Sequence, residues 1–248
     1  MCGRYSHRYT WKQLQRLLNL MFEEFEIPVR HNVAPSQTAP IVRDVGKGGR
    51  RLDLMRWGLI PSWAKDESFR SKAINARAET VATAAAFRDS FKRRRCLVPV
   101  SGFYEWKKLD ESGKRKQPYY ITSSDGEPMM LAGLWSSWKR PDAKALETFT
   151  IITTTPNELM AKLHDRMPVI LGESDWDAWL DPHLGEGTAD PGGAMGAVES
   201  LLRPYAPELM MAWPVSMKVN SPKNDGQELI QEAFGQEFPS KEEPGLFS

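Results

Sequence analysis

Apolar residues recur at helical spacing most clearly near the start of the chain, where Trp11, Leu14, Leu17, Leu18 and Met21 fall on one face of a helix predicted over residues 11–24. Thr10 and Gln13 stand where a capping box closes a first turn, and Pro28 lies where the helix must stop. Beyond it the pattern turns to short apolar or alternating runs, which read as strands over 41–43, 52–57, 97–100, 103–106, 119–122, 129–135, 149–154 and 211–219. Turn residues at 110–114 and 123–128 read as hairpin loops. Further helices are predicted over 79–91, 156–163, 173–181 and 197–202, with Ser174 and Asp177 matching a cap pattern at the third. Because strands follow one another instead of alternating with helices, the expected class is α+β, with largely antiparallel, barrel-like sheets flanked by helices.

The length of 248 residues suits one compact domain, placed over 1–235. Residues 182–196 hold five glycines and two prolines and read as an exposed loop, and 236–248 as a flexible polar tail. A composition 41% hydrophobic and 26% charged excludes collagen, coiled coil and disordered chain. No apolar run is long enough to span a membrane, and Arg4, His7, Arg8 and Lys12 occupy the place of a signal peptide's apolar stretch, so a cytoplasmic protein is expected; a monomer is expected as well. The two cysteines, Cys2 and Cys96, make neither a disulfide framework nor a CxxC zinc pair, and no metal or cofactor is expected.

Charge adds one feature. Of 33 bases and 32 acids, one base and six acids lie after residue 224, which leaves 32 bases against 26 acids over 1–224. That surplus permits a polyanionic partner without requiring one, and runs such as 92–95 or 47–51 also read as solvated surface.

Cys2 is the most unusual position. Once Met1 is removed, the chain begins with an α-amine and a thiol on one residue. With an ordinary pKa near about 7.7–8.0, such an amine is about a tenth neutral at pH 7 and forms Schiff bases readily. An aldehyde captured there can be attacked by the neighbouring thiolate to close a thiazolidine, which an internal cysteine cannot do. A chance cysteine at a frayed end is the alternative. Asn75 and Arg77 lie in A-I-N-A-R-A-E-T and by themselves read as surface polar residues. Glu105 lies between Tyr104 and Trp106; it is either a desolvated acid–base carboxyl or an outward-facing strand residue. His164 precedes a strand with Asp165 and Arg166 beside it, in a setting suited to proton transfer and phosphate contact, although single histidines are often structural. Nine tryptophans include Trp57, Trp63, Trp106 and Trp213 next to basic or polar residues, where exposed rings would stack on unpaired bases. The chain lacks GxSxG, GxxxxGK[ST], HExxH and a strand-linked GxGxxG.

In order along the chain, M-C-G-R-Y at the start, N-V-A-P at 32–35, R-W-G-L-I-P-S-W at 56–63, I-N-A-R-A-E-T at 74–80, S-G-F-Y-E-W at 101–106, H-D-R-M-P-V-I-L at 164–171 and P-V-S-M-K-V-N at 214–220 resemble the SOS response-associated peptidase (SRAP) family. The resemblance implies a DNA-damage sensor that binds abasic sites in single-stranded DNA and crosslinks the sugar aldehyde to Cys2 as a thiazolidine, without a cofactor. By the same resemblance, Asn75 orients the sugar or the terminal residue, while Glu105 and His164 move protons. Arg77 and Arg166 hold phosphates, with Arg4 assisting, and Trp63, Trp106 and Trp213 contact DNA. Such a protein would be cytoplasmic and nucleoid-associated when bound. Two other classes stay open: an N-terminal-cysteine hydrolase, either autopeptidase or amidotransferase, and a non-covalent single-stranded DNA-binding module.

Overall fold

In the computed structural model, which describes residues 2–21, 26–46, 49–139, 144–184 and 191–233, the capping box forms as its spacing requires. The Gln13 amide donates to Thr10 Oγ1 at 3.2 Å, and the Thr10 amide donates to Gln13 Oε1 at 2.8 Å. The helix it opens, α1 (Trp11–Leu18), is shorter than expected, because Asn19 takes the left-handed conformation (φ 51°) and ends it. Of the predicted helix, residues 22–24 lie outside the described residues. The strands are β1 (Tyr5–His7), β2 (Arg30–Val33), β3 (Thr38–Asp44), β4 (Arg50–Trp57), β5 (Asn75–Arg77), β6 (Arg95–Val100), β7 (Gly102–Lys108), β8 (Lys116–Ser123), β9 (Met129–Trp138), β10 (Leu146–Thr154), β11 (Met167–Pro168), β12 (Ile170–Leu171) and β13 (Met210–Pro214). The remaining helices are α2 (Arg88–Arg93), α3 (Glu158–Ala161), α4 (Trp176–Leu180) and α5 (Pro191–Ser200).

Five strands close on themselves in the order β10-β4-β3-β6-β9 and back to β10, forming a barrel that removes its own edges. The expected α+β class with largely antiparallel, barrel-like sheets is what forms; among these strands only the β10 pairings with β4 and β5 run parallel. Along each strand alternate residues turn inward, so Ile41, Met55, Cys96, Val98, Leu131 and Phe149 share one core. Gly133 belongs to this packing, since a Cβ there would stand 2.9 Å from Cys96 Sγ and from Val98 Cγ2. The opposite parity, including Val42, Leu97, Ala132 and Ile152, packs outward under Trp11, Leu14 and Leu18 of α1 and Trp176 and Trp179 of α4.

A second sheet, ordered β13-β8-β7-β1-β2, lays one face on the barrel core through Tyr5, Phe103 and Ile121. Its other face carries Tyr104 and Tyr120 and is covered by Val215, Val219 and Leu229.

Several expectations change. Of residues 79–91 only 88–91 are helical: the chain turns through 79–87 and α2 begins only at Arg88; the alanines favour a helix, but the Ala78 amide is held by the Thr153 carbonyl, which ties this segment to β10. The 123–128 turn has the expected chemistry, with Gly126 at φ 78°, but it links β8 to β9 in different sheets and is no hairpin. Ser174 and Asp177 do not cap α4: residues Glu173–Asp175 form a 3-10 turn and lead into it without a side-chain cap. The expected strand over 211–219 ends at Pro214, and Met217–Asn220 is a 3-10 turn. Within the glycine-rich stretch, α5 starts at Pro191, whereas 185–190 and the tail 236–248 lie outside the described residues.

The run 92–95 is not uniformly solvated either. Arg95 is 2% exposed, and its guanidinium donates to the carbonyls of Trp179 (2.6 Å), Phe91 (2.7 Å), Lys92 (2.8 Å) and Asp181. It therefore satisfies the C-terminal carbonyls of α2 and α4 and fastens both helices to the barrel. Arg95→Ala should cost about 3–5 kcal/mol, because several carbonyls lose their donor at once. Thermal unfolding would report this as a fall of roughly 10 °C for a chain of this size, and an unchanged Tm would refute the clamp.

Candidate active site

The end of β10 brings together two segments far apart in sequence. On one side, β5 continues the edge that β4 leaves, with Asn75 opposite Ile151 and Arg77 opposite Thr153. On the other, Thr153 and Thr154 pair with β11, immediately after His164, Asp165 and Arg166. The Thr153 carbonyl accepts from both the Ala78 amide (2.9 Å) and Arg166 Nη2 (2.6 Å), so one backbone oxygen joins the two segments. Between them lies a cleft of about 630 Å³ lined by Arg77, Glu79, Thr80, His164, Asp165 and Arg166.

The second sheet supplies the rest. Pairing of β1 with β7 matches Tyr5 to Phe103, and the Tyr104 amide donates to the Arg4 carbonyl at 3.0 Å. Continuing this register sets Gly3 opposite Glu105, beside Cys2. Residues next to a terminus usually fray, yet Cys2 is fully buried and its carbonyl accepts from Asn75 Nδ2 at 2.9 Å. Asn75 Oδ1 is buried with no hydrogen-bond partner among the described residues, so its acceptor remains open.

Glu105 is 1% exposed, which rules out the outward-facing alternative. Burial pushes its carboxyl up to about 7, near the pH at which a group can both take and give a proton. Burial, and then the charge of Glu105, push the Cys2 thiol well up as well. A standing thiolate, as the sequence reading pictured, is therefore not the resting state, and the thiol needs a base.

His164 lies between this buried pair and the cleft. Its Nε2 is 3.9 Å from Glu105 Oε2, and its Nδ1 accepts from the Arg166 amide at 3.1 Å, which leaves the ring proton on Nε2, facing Glu105. Burial lowers its pKa, so the ring is neutral at pH 7. When it does gain a proton, Nδ1–H has Asp165 Oδ1 within 2.9 Å to stabilise the charge.

The DNA-contact candidates divide into groups. Arg77 is exposed in the cleft, and Arg166 lines it while paired with Glu79. Trp63 is 51% exposed on the loop after β4, braced edge-on by Phe69 at 5.1 Å between ring centroids. Arg4, Trp106 and Trp213 do not line the cleft; they belong with Tyr104 and Tyr120 on the face of the second sheet turned away from the barrel. Arg4 donates to Asn32 Oδ1 (2.9 Å) and to the carbonyls of Val219 (2.7 Å) and Asn220 (3.1 Å). Trp106 Nε1 donates to Asn220 Oδ1 (2.7 Å), and Trp213 Nε1 to the Ile230 carbonyl (2.9 Å). Sequence reasoning missed Glu79, which lies in the turn just after β5, and no local pattern marks it as the partner of Arg166. Among the described residues no group of three or more His, Cys, Asp or Glu side chains stands close enough to hold a metal ion.

The family described as SOS response associated peptidase (SRAP) matches residues 1–222. The chain is 42% identical over 233 residues to abasic site processing protein YoqW of Bacillus subtilis (strain 168), covering 93% of this chain and 99% of that one. It is 31% identical over 239 residues to abasic site processing protein YedK of Escherichia coli (strain K12), again covering 93% and 99%. A crystal structure of a protein from Bacteroides thetaiotaomicron superposes with a TM-score of 0.78 at 27% identity, over 94% of this chain and all of that one.

Proposed function

This chain belongs to the SOS response associated peptidase family, and on that premise we propose that it processes abasic sites in single-stranded DNA by capturing the ring-opened sugar aldehyde on Cys2 as a thiazolidine. The observation that carries this reading is the position of Cys2: buried, held by Asn75, and backed by a carboxyl whose pKa is lifted to about 7.

Removal of Met1 frees the Cys2 amine. In its neutral form the amine attacks the aldehyde carbon, and the resulting carbinolamine loses water to give an imine. Glu105 is the base that takes the thiol proton as Cys2 sulfur adds to the imine carbon, and the nitrogen gains a proton as its double bond becomes single. The net change is one aldehyde, one amine and one thiol converted to one ring and one water. His164, with Nε2 toward Glu105 and its ring edge in the cleft, relays protons between the two. Asn75 Oδ1 accepts from the amine or a sugar hydroxyl. Arg77 and Arg166 hold flanking phosphates and Trp63 stacks on an unpaired base, so binding follows charge and stacking with little base preference. Arg4, Trp106 and Trp213 meet the strand outside the cleft.

The test is incubation of Met1-free protein with a single-stranded oligonucleotide carrying one abasic site. We expect a denaturation-resistant complex whose mass is the sum of the partners less one water, and much less of it with an intact duplex. Absence of that product, or release of ammonia from glutamine by the same protein, would favour the hydrolase reading instead.

A further inference from the structure

Arg166, the phosphate-binding candidate deepest in the cleft, is already occupied. Its Nη1 donates to Glu79 Oε1 at 2.5 Å and its Nη2 to Glu79 Oε2 at 2.9 Å, a two-pronged pairing of the same planar form that a phosphate would make. The hydrogen bonds from Arg166, with a smaller contribution from the charge of Arg77, hold the Glu79 carboxyl below its usual range, so it is ionised at any physiological pH. The partners differ in burial: the Arg166 side chain is 16% exposed and Glu79 48%. Arg166 also keeps its bond to the Thr153 carbonyl, which holds the guanidinium in place whether or not Glu79 is present. The pairing leaves Arg166 Nε buried with no hydrogen-bond partner among the described residues, so the carboxylate does not use every donor that Arg166 offers.

We propose that Glu79 is an internal stand-in for a DNA phosphate: it occupies Arg166 in the free protein, and an incoming strand must displace it. The inference rests on the single-stranded DNA reading above and adds selectivity to it. A solvent-facing ion pair is weak enough to be exchanged, but its carboxylate then stays near the arriving phosphate and repels it. Every strand bears that cost, whereas only one with an abasic aldehyde recovers it through the bond to Cys2. Undamaged single strands are thereby released.

Glu79→Gln keeps the shape and removes the charge. For an undamaged single-stranded oligonucleotide at about 0.1 M salt, we expect binding roughly 5–10-fold tighter than wild type. The slope of log affinity against log salt should steepen by about 0.7, because Arg166 then neutralises one more phosphate, which releases the counterion condensed on it. Glu79→Asp, which retains the charge, should stay within about twofold of wild type. Equal or weaker binding by Glu79→Gln, with an unchanged melting temperature, would overturn the proposal and leave Glu79 as a support for Arg166. If Glu79→Gln melts early, tighter binding by Glu79→Ala relative to Glu79→Asp decides the same point. These affinities are read without abasic DNA, so a failure of aldehyde capture would remove the thiazolidine reading without touching this result.

Discussion

A Cys2→Ala variant is expected to form no denaturation-resistant complex with an abasic oligonucleotide, whereas Cys96→Ser forms it at close to the wild-type rate. Both thiols are fully buried and both have their pKa pushed up by burial, so neither exposure nor acidity tells them apart. Their surroundings do. Cys96 points into the barrel against Gly133 and Val98, and among the described residues the charge acting on it is that of Arg43, a cation and not a base. Cys2 has Asn75 on its carbonyl and Glu105 close enough for its charge to act on the thiol. A sharper form of the same experiment leaves a single extra residue before Cys2. The thiol is then intact but the amine has become an amide, so no thiazolidine can close and the adduct should be lost as completely as with Cys2→Ala. A peptidase whose thiolate is activated by histidine would tolerate the extension. Stable adduct formation by the extended protein at the wild-type rate would remove aldehyde capture as the function.

Glu105→Gln and His164→Ala should each slow adduct formation or reversal by about 10²-fold or more while changing noncovalent affinity little, since proton transfer is worth about that much. Arg77→Ala and Arg166→Ala should do the reverse, weakening binding and flattening its salt dependence. The wild-type rate should rise with pH as Glu105 loses its proton around 7, and Glu105→Gln should keep only the later rise, near about 8, that comes from the amine. Stability gives an independent check. The folded-state pKa of Glu105 lies above the unfolded 4.5, so the group favours the folded state fully below pH 4.5, and that contribution disappears as pH rises through about 7. The shift corresponds to about 3 kcal/mol, an upper figure for how far Glu105→Gln exceeds wild type in stability at pH 8; the difference should fall below about 1 kcal/mol at pH 5 and vanish below about pH 4. A variant equally stable at both values, with binding lost in step with rate, would make Glu105 structural.

Much of the site was readable because its residues sit in short, chemically distinctive segments. Cys2 at the second position, Glu105 between two large aromatics and His164 ahead of a strand each carried a recognisable chemical signal. What brings them together was not readable. The contacts span 73 residues between Cys2 and Asn75 and 87 between Glu79 and Arg166, and no local pattern encodes pairings at such distances. The three-residue strands β1 and β5 are too short to show alternation, yet they position Cys2 and Asn75. Arg95 was hidden for a different reason: a basic run looks the same in sequence whether its last member faces water or four carbonyls. The capping box at Thr10, by contrast, was legible because both partners lie within one turn.

The burial of Cys2 also sets an order of events during synthesis. The proposed chemistry needs Met1 gone, and a separate aminopeptidase takes the end of an extended chain, whereas in the finished fold Cys2 is buried beside β7. That strand is made about a hundred residues after Cys2, which at translation speeds of about 5–20 residues per second leaves a window of roughly 5–20 s. If a separate aminopeptidase removes Met1, the ribosome-bound chain is its natural substrate, whereas removal after folding would fall to the site itself, as the autopeptidase reading has it.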